Sequence, residues 1–98
     1  MTRDERIELA RKTSTPAEFL AQLAGDGDWS VRQRVAQNPF APPEALAELS
    51  RDKDDYVRWN VAENTATPIE LLLILMVDDN EYVRQKAEAT LSKRVMIP

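Results

Sequence analysis

One interval governs this chain. Pro16, Pro42 and Pro68 are 26 residues apart, and so are Glu18, Glu44 and Glu70. The same spacing carries Leu20, Leu46 and Leu72, then Leu23, Leu49 and Leu75. It continues through Asp26, Asp52 and Asp78, through Val31, Val57 and Val83, and through Arg32, Arg58 and Arg84. A unit this short does not bury its apolar face alone. Units stack to share a core, so self-similarity at a period of roughly 20–50 residues specifies a repeat array.

Composition narrows what such an array can do. The 98 residues leave room for one domain, read here as 1–98. Cysteine and histidine are both missing, which removes disulfides, thiolate metal sites, Cys-ligated iron–sulfur clusters and the commonest general base. A net charge of −4 argues against a nucleic-acid backbone as the main partner. The opening residues, Met1 to Arg6, are charged with no apolar run behind them, so no signal peptide is expected. The longest apolar stretch, 69–77, is broken by Glu70 and is too short to span a bilayer. The expectation is a bacterial, cytoplasmic protein with no cofactor and no membrane contact.

Each unit follows one plan. Thr15, Ala41 and Thr67 precede the prolines; Thr caps helices well, and Pro is tolerated at a first helical position. Thr15–Glu18 and Thr67–Glu70 have the spacing of a capping box, whereas Ala41 has no side chain with which to cap. A short first helix follows, with Leu three residues apart, a spacing open to α or 3₁₀ geometry. After a turn, Asp28, Asp54 and Asn80 are N-cap types for a second helix. Val31/Val35, Val57/Val61 and Val83/Ala87 mark its buried face. Asn38 and Asn64 end it, with the left-handed conformation expected at that point. Residues 2–12 read as a lone second helix. The predicted architecture is all-α: an N-terminal capping half-repeat at 2–14, two-helix repeats at 15–40, 41–66 and 67–92, and a tail at 93–98.

The pattern Pro-x-Glu-x-Leu-x-x-Leu, then Asp, then Val-Arg-x-x-Val-Ala-x-Asn stands here as Pro42 to Leu49, Asp52 and Val57 to Asn64. It resembles the leucine-rich repeat variant family, over roughly 4–90; HEAT-like repeats share the Asp…Val-Arg core and are the nearest alternative. The resemblance implies a right-handed α-solenoid of paired short helices, alternating α and 3₁₀ in that family. It implies no catalytic residues, so no enzyme activity is expected, and its usual role is a scaffold for macromolecular contacts.

Four groups of residues are candidate sites. Asp26, Asp52 and Asp78 with Arg32, Arg58 and Arg84 read best as a structural ladder between units, because both signs repeat together and Arg pairs bidentately with carboxylates. An arginine row gripping an acidic partner is the competing reading. Trp29 and Trp59 fall opposite the buried valines and are candidate hot spots for a protein partner, with Gln33, Gln37, Glu63 and Gln85 around them. Ile69, Leu73, Ile74, Met76 and Val77 make the last first helix apolar nearly all round. A covering tail with Val95, Met96 and Ile97, or homodimerisation through the last repeat, is expected there. Basic residues such as Arg34, Arg51, Lys53, Lys86, Lys93 and Arg94 are interspersed with acids and read as solvated surface. The lead reading is a non-catalytic repeat scaffold with an unknown protein partner. A HEAT-like nucleic-acid-binding module and a structural segment of a larger repeat assembly are the alternatives.

Overall fold

The capping positions of the repeat fix where helices start. In the computed structural model, which describes residues 1–95, seven helices and no strand are present among the described residues. They are α1 Arg3–Arg11, α2 Ala17–Leu23, α3 Trp29–Gln37, α4 Pro43–Leu49, α5 Asp55–Glu63, α6 Ile69–Leu75 and α7 Glu81–Val95. The short helices α2, α4 and α6 start 26 residues apart, as do α3, α5 and α7. Helices α1, α3, α5 and α7 lie side by side in sequence, with α2, α4 and α6 packed along them. The extents of 45 × 28 × 17 Å are those of a slab two helices thick.

The second helices begin as the sequence predicts. Asp28 and Asp54 accept the backbone N–H of Ser30 and Tyr56, and Asn80 accepts those of Tyr82 and Val83. The first helices do not. Pro16, Pro42 and Pro68 are themselves the N-caps, with no side-chain cap bond in any of the three. The expected capping boxes at Thr15 and Thr67 are therefore absent. These threonines face inward instead, donating to the carbonyls of Leu9 at 2.6 Å and Val61 at 2.7 Å, the last turn of the preceding helix. Ala41 consequently starts its helix no less firmly than they do. The first helices are α-helical, with 3₁₀-type i→i−3 bonds only at their ends, such as Phe19 N–H to Pro16 and Asp26 N–H to Leu23.

The asparagines correct a second expectation. Asn38 and Asn64 sit in extended conformations, φ −72° and −68°, rather than left-handed ones. Extended backbone at Asn38 suits the residue before Pro39. The side chains are turned inward. Asn38 Nδ2 donates to the carbonyls of Ala10 and Lys12 at 2.9 Å, and Asn64 Nδ2 to those of Ala36 and Asn38 at 2.8 and 2.9 Å. Each amide thus closes the C-terminus of the preceding second helix, whose last carbonyls have no partner within their own helix. Thr90 stands where a third Asn would, and the helix does not end there. Helix α7 runs on to Val95, and Arg94 reaches back to the carbonyls of Asn64, Thr65 and Thr67. The first three residues of the predicted tail are therefore helical. Met96 and Ile97, expected to help cover the last helices, lie outside the described residues.

The core is continuous along the array. Leu20, Leu46, Leu49, Leu72 and Leu75 are fully buried beside Val31, Val35, Val57, Val61 and Val83. Leu46 is central, so Leu46→Ala is expected to cost roughly 2–5 kcal/mol. Asn64→Ala strands two buried carbonyls and is expected to cost about 2–6 kcal/mol, from about 1–3 for each unsatisfied group. Urea titration measures both; a loss below about 1 kcal/mol at Asn64 would mean the amide closes nothing.

Candidate functional site

The turns between paired helices carry one charged arrangement that recurs from unit to unit. Each ladder aspartate serves three partners. Asp52 Oδ1 accepts the backbone N–H of Asp54 at 2.9 Å, which shapes the turn before α5. Its Oδ2 accepts Arg32 Nε at 2.7 Å, with Arg32 Nη2 on Oδ1 at 3.3 Å. Its main-chain oxygen accepts Arg58 Nη1 at 2.7 Å. The pattern recurs with Asp78: Asn80 N–H and Arg58 on the carboxylate, Arg84 Nη1 on the carbonyl. It begins with Arg6 Nε on Asp26 Oδ2 at 2.7 Å. Arg32 and Arg58 therefore each bridge the aspartate six residues before and the one 20 residues after. Arg84 meets no carboxylate among the described residues, so it holds only the first half of this arrangement.

These contacts set the ionisation of the site. The Asp52 carboxylate raises Arg32 above its ordinary value despite burial, and Asp78 does the same for Arg58. Burial pushes the Asp78 carboxyl up, but hydrogen bonds from Arg58 and the Asn80 N–H outweigh it and hold the group below the usual range. Hydrogen bonds from the Ser30 hydroxyl and N–H, then Arg3, take Asp28 down to about 2.

An open groove of about 790 Å³ runs past the starts of α3, α5 and α7, with Trp29, Lys53, Asp55, Arg58, Asp79 and Asn80 on its walls. Asp55 and Asn80 also border a smaller pocket of about 290 Å³, shared with Tyr56, Trp59 and Tyr82. The Asn80 amide donates to Asp55 Oδ2 at 2.8 Å and joins the two helix starts. Trp29 is 49 % exposed on the groove wall. Trp59 is only half exposed to the outside expected for it. It packs partly on the core, stacks on Tyr56 at 6.1 Å between centroids, and carries the Lys86 ammonium 5.2 Å from its ring centre.

Of the polar residues expected around Trp59, Glu63, Gln85 and Gln37 are exposed and Gln33 is half-buried; none borders either cavity. Gln37 Nε2 donates to Asn60. Sequence reasoning missed Tyr56, Tyr82, Asp55 and Asn80. A signal for the tyrosines was present: they are 26 residues apart, two positions after the cap. At the far end, Ile69, Leu73, Ile74 and Val77 are exposed at 41, 52, 57 and 81 %. Met76 does not share that face; it is half-buried against the core. Among the described residues no three or more acidic side chains converge as a metal's ligand set requires, and no helix is long and apolar enough to cross a membrane.

Residues 29–54 match the leucine rich repeat variant family. No curated protein and no solved structure shows significant similarity to the chain. The leucine rich repeat variant match bears out the resemblance read from the sequence over one full period, from the start of α3 to the cap of α5. It contains Arg32, Asn38 and Asp52 but not the aromatic pocket.

The lowered carboxyls predict a pH dependence. A depressed folded-state value stabilises the fold above the unfolded value, near pH 4, and that contribution disappears as pH falls toward about 2. The urea midpoint is expected to hold from neutral pH to about 4.5 and then decline. Asp78→Asn lowers the midpoint at neutral pH and flattens the decline. An unchanged slope in that variant would remove Asp78 from the acid response.

Proposed function

We propose that this chain is a non-catalytic, right-handed α-solenoid of three 26-residue repeats (15–40, 41–66 and 67–92) behind a half-repeat, working in the cytoplasm as a scaffold for a protein partner. The family match supports a helical repeat scaffold. The observation that carries the partner reading is the aromatic surface over α3, α5 and α7. Trp29, Tyr56 and Tyr82 are exposed there, and Trp59 lies among them. Aromatic side chains supply much contact area at low entropic cost, and interface energy concentrates on them. They stand on helix starts tied together by the Arg–Asp contacts, a rigid support for recognition.

Affinity capture from the source lysate tests this. The double variant Trp29→Ala, Tyr82→Ala is expected to lose the captured partner, by about 30-fold or more in affinity if either is a hot spot, with an unchanged urea midpoint. Full retention of the partner would move the binding face elsewhere.

A second contact is favoured by the exposed Ile69, Leu73, Ile74 and Val77, an apolar set that monomers seldom leave in water. We infer that two chains pair through α6 and its following turn. Arg84, without a carboxylate, is the natural polar contact at the edge of such an interface. Sedimentation at high micromolar concentration is expected to give a dimer, and Leu73→Glu a monomer. A monomeric wild-type chain under those conditions removes the pairing.

A further inference from the structure

The smaller pocket has a composition that selects charge. Three of its five lining residues are aromatic, Tyr56, Trp59 and Tyr82, and the others are Asp55 and Asn80. No cationic side chain lines it. The faces of aromatic rings are negative, and most so for Trp, so an enclosure of rings beside a carboxylate favours a cation. Asp55 accepts a hydrogen bond on Oδ2 from Asn80 and has none on Oδ1 among the described residues. One oxygen of a carboxylate that borders the pocket is thus free to accept from a ligand.

Two further observations point the same way. Lys86 makes no ion pair among the described residues, and its ammonium lies 5.2 Å from the Trp59 ring centre. The ring already attracts a positive group with no carboxylate helping it. An anion, by contrast, has the Lys86 ammonium as its charged donor beside Trp59 and few others. The Tyr56 N–H is engaged by Asp54, those of Tyr82 and Val83 by Asn80, and the Arg58 guanidinium is committed to Asp78 and Asp79. The chain as a whole carries −4, which draws basic segments toward it.

We propose that this pocket binds the side chain of an arginine or lysine in an exposed basic segment of a protein partner. The guanidinium or ammonium lies against Trp59 and Tyr82 and donates to Asp55 Oδ1. At about 290 Å³ the pocket suits one long side chain, and the neighbouring groove past Asp79 and Trp29 takes the flanking residues. This rests on the reading of the chain as a protein-binding scaffold and names the chemistry of the partner.

The test is a titration of the full chain, followed by the Trp59 indole and Tyr82 ring resonances. The probes are three blocked peptides, Gly-Gly-X-Gly-Gly, in which X is arginine, its neutral isostere citrulline, or glutamate. The arginine peptide is expected to bind about tenfold tighter than the citrulline peptide. Asp55→Asn weakens it several-fold. Lys86→Gln tightens it, because a competing and repelling charge is gone. An unchanged urea midpoint shows that both variants are folded. Equal binding of the arginine and citrulline peptides overturns the proposal but keeps a peptide-binding face. Preference for the glutamate peptide, or weaker arginine binding in Lys86→Gln, overturns it in favour of an acidic partner. No shift with any peptide also overturns it, while the scaffold reading still stands or falls on partner capture by the Trp29→Ala, Tyr82→Ala variant.

Discussion

The aspartate in the turn two residues before each second helix's cap, Asp26, Asp52 or Asp78, is the constraint on which the rest depends. Its carboxylate shapes its own turn through an N–H two residues on, and accepts the guanidinium of the preceding unit. Its carbonyl accepts the arginine of its own unit. Taking such groups out of water is costly unless every donor and acceptor is satisfied. That condition is met: among the described residues no buried side-chain nitrogen or oxygen lacks a partner. The position cannot shift by one residue without breaking three contacts in two units. The period is thus enforced by hydrogen-bond geometry as well as by leucine packing.

The asparagines do for helix ends what the aspartates do for helix starts. A short helix has a large share of unpaired backbone groups, four at each end. In helices of seven to nine residues these outnumber the bonds within. Neighbouring units supply the missing partners: Asn38 and Thr15 at the end of α1, Asn64 at the end of α3 and Thr67 at the end of α5. This explains why helices far below the length that is stable alone persist here. Arg94 is a substitution of device: a long side chain from a continued helix reaches the carbonyls of Asn64, Thr65 and Thr67, of which the repeat would give only that of Asn64 to an Asn at position 90.

Periodicity made the helix pairs, their capping aspartates and the buried leucines and valines legible in the sequence. It also singled out the arginines and aspartates that the structure brings together. The partner of each arginine was not legible, because a 26-residue repeat leaves open whether a contact is made within a unit or with the next one. The asparagine and threonine amides and hydroxyls were misread for a related reason: local rules assign such residues to their own backbone, and here they serve a neighbour's. The aromatic pocket was legible only in part. Trp59 stood out by its place opposite the buried valines, but Tyr56, Tyr82 and Asp55 form a site only once α5 and α7 lie side by side. The surface of α6 read correctly as apolar, whereas Met76 lies beyond its last turn and curls back onto the core.

The reach of the polar contacts has a consequence for how the chain acquires its structure. Among the described residues no side-chain hydrogen bond joins positions more than 30 apart, and most between units span 20 to 28. Closing loops of that size loses little chain entropy, and no late, distant pairing has to wait for the rest. Any adjacent pair of units can serve as the nucleus, and growth proceeds one unit at a time from either side. Ordering therefore spreads along the chain as a zipper does, without one obligatory starting point, and a unit packed on both sides is the last to open.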